Sequence, residues 1–179
     1  MRIDWASLRT AHGDAAHVPD ALVRLHSDRE DARRSAYWQL DNYVVLQGSL
    51  FEAAPFVADE LIRMLGADMT SATRILVYEL LYEIHNGYAP DTDSVIRDGR
   101  SLPLREACQR TVSDALPLYR ADLMTADATL RKEVVDLLAS MDERHEEAAA
   151  LFRQAREEVD DPAIIADLER GLRELYEES

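Results

Sequence analysis

The chain has 179 residues and a formal net charge of −15 at pH 7, so it is long enough to bury a sizeable core and strongly acidic. That charge excludes the basic surface a phosphate backbone needs. No apolar run approaches bilayer length, so neither nucleic acid nor membrane is expected as a partner. Glycine and proline number six each, while Ala, Leu, Arg and Glu dominate and β-branched runs are scarce, which points to an all-α fold in a single domain spanning 1–179.

Residues 1–17 carry Ile3, Trp5 and Leu8 near helical spacing before a break at Gly13, and read as a short helix or arm capping the first layer. A short amphipathic helix follows over 18–26, with Pro19 in its first turn, where a missing N–H costs nothing. After a turn, 31–46 is a second helix with Ala36, Tyr37, Leu40 and Val44 inward; 48–55 breaks it. Residues 56–65 resume as a helix closed by Gly66 as a C′ glycine. The pattern over Ser71–Asn86 is apolar round most of the helix: Ala72, Ile75, Leu76, Leu80 and Ile84 share a face, and Val77, Tyr78 and Leu81 widen it. Such a helix must be covered from more than one direction, as the middle helix of a domain.

Residues 86–103 hold Asn86-Gly87, Ala89-Pro90, Asp98-Gly99 and Leu102-Pro103, all breakers. They read as a polar inserted loop outside the core, whose deletion should cost little because loop closure depends weakly on length. Helical spacing returns at Leu104, with Cys108, Val112, Ala115 and Tyr119 on one stripe that Pro117 bends or breaks. Residues 127–141 bury Leu130, Val134, Leu137, Leu138 and Met141; 144–159 bury Ala148, Leu151, Phe152 and Ala155. Asp161-Pro162 opens a last helix carrying Ile164, Ile165, Leu168, Leu172 and Leu175. The result is about four helical hairpins in series.

These hairpins repeat. Asp20-Ala21-Leu22-Val23-Arg24-Leu25 aligns with Asp59-Glu60-Leu61-Ile62-Arg63-Met64, 39 residues on. Arg33, Ala36, Tyr37 and Leu40 recur 41 residues on as Arg74, Val77, Tyr78 and Leu81, and 98 residues on as Arg131, Val134, Val135 and Leu138. Asp28, Asp68 and Asp127 precede the three arginines. A period near 40 with two helices per unit marks a stacked helical array. The stretch 28–40 resembles the HEAT-repeat pattern, in which an acidic turn residue is followed by an Arg, an Ala and a Leu at set spacing. Physically, the Asp would cap the second helix and the Arg would reach an Asp of its own or a neighbouring layer. The stretch 38–65 is similar to small bacterial HEAT-repeat proteins in its Gln47-Gly48-Ser49 turn before Phe51 and an Ala-rich helix start. That group often has a His before the Gln; Leu46 stands here. The resemblance implies a right-handed α-α superhelix, a HEAT/armadillo-like solenoid, with the second helices on its concave face. Some members of that group are immunity partners of secreted toxins.

No catalytic motif is visible. His12, Asp14 and His17 fit no common zinc spacing, and Asp142 with His145 is only one of the several ligand pairs a di-iron helix bundle needs. Cys108 is the only cysteine, so no intramolecular disulfide can form. Together with an N-terminal stretch lacking a signal-peptide apolar region, this suggests the cytoplasm. No cofactor, metal or catalytic residue is expected. The repeat places Trp38, Glu79 and Asp136 at one position, and Asn42 and Glu83 at another one turn on, with Tyr82 beside Glu83. All turn away from the core, forming an acidic strip with aromatic anchors that suits an Arg- or Lys-bearing protein surface. The expected function is non-enzymatic protein binding through this groove. The alternatives are an immunity protein neutralising a basic toxin and an enzyme using Glu79 and Glu83 as an acid–base pair.

Overall fold

The computed structural model describes residues 3–97 and 99–177. Met1 and Arg2 of the N-terminal arm reading and Asp98 of the loop reading lie outside the described residues, as do Glu178 and Ser179. The chain divides into two compact units, one up to Val112 and one from Ser113.

The first unit opens with a 3-10 turn, Trp5–Ser7, and a ribbon of β1 (Arg9–Thr10) with β2 (Gly13–Asp14). Then come α1 (Val18–Arg24), α2 (Glu30–Val44), a ribbon of β3 (Val45–Leu46) with β4 (Ser49–Leu50), α3 (Ala54–Leu65) and α4 (Ser71–Asn86). A third ribbon, β5 (Ser94–Arg97) with β6 (Arg100–Pro103), leads into α5 (Leu104–Ser113), whose last residue begins the second unit. That unit contains α6 (Leu116–Leu123), α7 (Ala128–Ala139), a 3-10 turn Asp142–Arg144, α8 (His145–Glu158) and α9 (Pro162–Glu177). The described residues are thus mostly helical, with nine α-helices and three small antiparallel strand pairs.

The helices form where apolar spacing demanded them. In α4, Leu76, Val77, Tyr78, Leu80, Leu81 and Ile84 are buried, and Thr70 caps the start by accepting the Thr73 N–H at 3.3 Å. Ala72, expected inward, is exposed because it lies in the first turn, ahead of the packed stretch. In α7 every expected apolar residue is buried, and Asp127 caps the helix through the Thr129 and Leu130 N–H groups, both at 3.1 Å. α9 comes close to its neighbours at Gly171, where a Cβ would meet Phe152 at 2.5 Å and Val135 at 2.9 Å.

Several sequence expectations are corrected. The N-terminal arm is a 3-10 turn and a strand pair, with Leu8 buried. The break after α2 is a tight hairpin: Gln47 (φ 51°) and Gly48 (φ 79°) are the two loop residues of a turn whose twist matches the flanking strands. Gly66 is right-handed (φ −75°), so it ends α3 without the left-handed geometry of a C′ glycine. The stripe from Leu104, by contrast, is broken as expected: α5 ends at Ser113, and Pro117 sits in the first turn of α6, where its missing N–H is harmless. Asp28 and Asp68 are not caps, since the N-cap positions of α2 and α4 are Arg29 and Thr70.

The segment 86–103 is not a polar loop outside the core. Its ribbon buries Val95 (2% exposed), and Ala89 just before it is also buried. Arg97 ties the ribbon to α3 and α5: its guanidinium pairs with Asp59 at 2.6 Å, bonds the Thr111 hydroxyl and lies over the Phe56 ring at 5.6 Å.

The three repeat arginines share a role. Arg33, Arg74 and Arg131 are each the fourth residue of their helix, α2, α4 and α7. Each donates to main-chain carbonyls of the segment just before its helix. Arg33 reaches Ser27 (2.7 Å) and Asp28 (3.0 Å), Arg74 reaches Leu65 (3.2 Å) and Ala67 (3.3 Å), and Arg131 reaches Thr125 (2.6 Å). Arg131 also holds Asp167 of α9, through Nε at 2.7 Å. For Arg33 the expected carboxylate is replaced by carbonyl oxygens, which a guanidinium fork serves equally well.

Candidate functional site

In the first unit α2 packs against α4. Tyr37 and Asp41 lie one turn apart on α2, as do Glu79 and Glu83 on α4, so each helix brings two polar groups to the same side. Tyr37 is 8% exposed, because its ring is part of the core, and its hydroxyl has no hydrogen-bond partner among the described residues. Asp41 and Glu83 are half-buried, and neither has an ion-pair partner among the described residues.

The electrostatics follow. Burial first, and the Asp41 charge second, push the Glu83 carboxyl above the usual carboxylate range; burial does the same to Asp41. The Tyr37 phenol is pushed far up by burial and then by Asp41, Glu79 and Glu83, against a smaller opposing pull from Arg34. The charges of Asp41, Glu79 and Glu83 all act on Tyr37, and that of Asp41 acts on Glu83 as well.

Two rings on the same helices are exposed. Trp38 is 51% exposed, with its ring T-shaped to Tyr37 at 5.0 Å, and Tyr82 is 37% exposed. Trp5, the other tryptophan, is half-buried and lines a hollow with Ile3, Pro19, Leu22 and Val23. Asn42 turns back on its own helix, its amide donating to the Trp38 carbonyl at 2.7 Å. Five of the six strip residues named from the sequence, Trp38, Asn42, Glu79, Tyr82 and Glu83, therefore lie on α2 and α4. The sequence reading missed Asp41: it chose Asn42 as the repeat equivalent of Glu83, although Asp41, one turn after the core residue Tyr37, was the signal to follow.

Asp136 sits on α7 in the second unit and is neutralised there. It accepts Nη1 of Arg170 at 2.8 Å and Nζ of Lys132 at 2.6 Å, and Arg170 also bonds Glu174 at 3.0 Å.

Elsewhere the chemistry is quiet. His12 and His17 pack against the Tyr43 ring at 5.0 and 4.3 Å, and burial holds His17 below its ordinary range. His145 packs edge-on with Tyr176 at 4.6 Å. Cys108 is fully buried and burial pushes its thiol far up, so it is a small hydrophobe. Among the described residues, no group of three or more His, Cys, Asp or Glu is placed to hold a metal ion, and no helix is long and apolar enough to cross a membrane. The α2–α4 cluster can thus attract a cation. No family model matches the chain, and neither a curated protein nor a solved structure matches it.

Proposed function

We propose that this chain is a HEAT-like stack of helical hairpins, a right-handed solenoid, that binds a basic protein in the cytoplasm through the acidic face of α2 and α4 and catalyses no reaction. The carrying observation is the pair Asp41 and Glu83, half-buried and without a cationic partner among the described residues, on the same two helices that carry the exposed rings of Trp38 and Tyr82. Charges left uncompensated cost stability, so a face that keeps them suits a partner that brings the opposite charge. Aromatic rings beside the acids add cation–π contact area.

The stacked reading rests on pairing within each unit. In the first, α1 packs on α2 and α3 on α4, with α1 also on α3 and α2 on α4. In the second, α6 packs on α7 and α8 on α9, with α6 also on α8 and α7 on α9. First helices meet first helices and second helices meet second, the arrangement of layered hairpins. The common fourth-residue arginines support the same register.

The test is binding of a basic protein partner by wild type and by Glu79→Ala and Glu83→Ala, across a salt series. Both substitutions should weaken binding and flatten its salt dependence while the melting temperature stays nearly unchanged. Binding that is indifferent to both substitutions and to salt sinks the acidic-face reading.

A further inference from the structure

We propose that His17 is a proton-operated latch: while its ring is neutral the N-terminal ribbon stays against the end of α2, and when the ring is protonated residues 5–17 loosen from that helix.

The ribbon is fastened by a small set of contacts. The Ala11 N–H donates to the Tyr43 carbonyl in the last turn of α2 at 2.9 Å, and the Ala53 N–H donates to the Arg9 carbonyl at 3.1 Å. Arg9 pairs with Glu52 at 3.1 Å, but its side chain is 76% exposed, so solvent screens the pair. The other contact is aromatic. His12 meets the Tyr43 ring edge-on at 5.0 Å and His17 meets it tilted at 4.3 Å, so the histidines on either side of β2 both rest on one tyrosine of α2.

Of the two, His17 is the one for which a proton is costly. The ring is half-buried, yet its Nε2 is shielded from solvent and has no hydrogen-bond partner among the described residues. In the neutral ring that nitrogen is an acceptor without a donor. Protonation makes it a charged donor with neither water nor an acceptor, which is the larger penalty. The groups around the ring do not remove it. Burial holds His17 below its ordinary range; a bond with the Asp14 main chain and the Asp14 charge pull the other way, and Arg24 of α1 adds to the burial. The Asp14 carboxylate is itself engaged, accepting the Ala16 N–H at 2.9 Å. A cation gains by lying over the Tyr43 ring, but the nitrogen that must carry the new N–H is the shielded one.

A ring held low in the folded state contributes stability that is complete above the ordinary histidine value. That stability is lost as pH falls through the ordinary value towards the lower folded one. The ribbon is the part that yields, because moving it gives Nε2 water at the expense of the few contacts above. Opening brings Leu8 and Thr10, both buried, to solvent.

The experiment follows the five histidine rings and the backbone amides of the full chain by NMR from about pH 8 to about pH 5. His17 should titrate below the ordinary histidine value of about 6.5. Hydrogen-exchange protection of the Ala11 and Ala53 amides should fall over the same window, roughly tenfold for each unit by which that midpoint is lowered, while amides of α4 in the same unit keep theirs. His17→Phe keeps a ring on Tyr43 and removes the proton, so its protection should not change with pH; His12→Gln should respond as wild type does. Any effect of the Asp14 and Glu52 carboxylates persists in His17→Phe, so a response that survives there overturns the latch. Should that variant fail to fold, wild type decides alone. A His17 midpoint at or above the ordinary value overturns the proposal, as does Ala11 and Ala53 protection that does not follow the midpoint or that falls together with α4.

Discussion

The two units solve the same electrostatic problem in opposite ways. Both carry acids on helices that pack side by side, α2 with α4 and α7 with α9. In the second unit the acid at the ninth position of α7, Asp136, is met by Arg170 and Lys132, and the buried Arg131 is met by Asp167. In the first unit Asp41 and Glu83 are half-buried with no ion-pair partner among the described residues; burial raises both carboxyls, and the Asp41 charge adds to the shift of Glu83. Paired charges of this kind fasten helices together, and Asp136 and Asp167 serve as structure in that way.

The largest expected effect probes the fastening side. Arg131 is 3% exposed and bonds both Asp167 and the Thr125 carbonyl. Arg131→Ala should cost about 3–5 kcal/mol by urea unfolding, since it strands a carboxylate and a carbonyl. Arg33→Ala, which removes only carbonyl contacts from a half-buried position, should cost about 1–2 kcal/mol. Equal losses at the two sites would erase the distinction between an ion-paired anchor and a carbonyl anchor.

Next in size is the ribbon of the first unit. Val95→Ala should cost about 2 kcal/mol, measured by chemical denaturation, because it opens a cavity under the β5–β6 ribbon. A change near zero would return residues 86–103 to the status of a dispensable loop.

Converting acids to amides separates the units by sign. Asp136→Asn should destabilise by about 1 kcal/mol, having lost its charge-assisted bonds to Arg170 and Lys132. Asp41→Asn and Glu83→Gln should instead stabilise by roughly 0.5 kcal/mol at neutral pH, because each removes a partly desolvated charge, which in Glu83 is also repelled by Asp41. Thermal melts of the three variants check this, and a shared sign would contradict the division proposed here.

The smallest effect is the pH dependence of that stabilisation. A carboxyl raised in the folded state binds its proton more tightly there than in the unfolded chain. Its stabilising protonation is complete below the ordinary carboxylate range and is lost as pH rises through the raised folded value. The advantage of Asp41→Asn over wild type should therefore be present at neutral pH and vanish in acid. Melts at both ends of that window measure it, and an advantage that persists unchanged in acid would remove the burial of the Asp41 charge as its cause.

Much of the helical skeleton was legible because burial imposes a period. The residues of Ser71–Asn86 are apolar on so many sides that only a helix covered by neighbours accommodates them, and that helix is found with the expected bounds. The stripe Leu104, Cys108, Val112, Ala115 and Tyr119 is buried throughout, although two helices share it. The strand pairs were not legible: strands of two residues carry no alternation to read, and the hairpin after α2 depends on the backbone of Gln47 and Gly48. Val95 looked like one apolar residue in a polar loop because the groups that cover it and anchor its strand are distant in sequence, as Arg97 reaching Asp59 across 38 residues illustrates.

The site divides in the same manner. From the repeat register alone, the sequence determined that Trp38 and Glu79 take equivalent positions and that acids cluster on the second helices, since helical spacing sets which residues share a face. Only the tertiary structure decided which of those acids are charges without partners. Asp136 meets an arginine 34 residues away on α9, while the packing of α2 on α4 brings Asp41, unremarked in the sequence, near enough for its charge to act on Glu83. The physical reason is that local spacing fixes the direction of a side chain, whereas the neutralisation of its charge depends on what another element, distant along the chain, brings within a few ångströms.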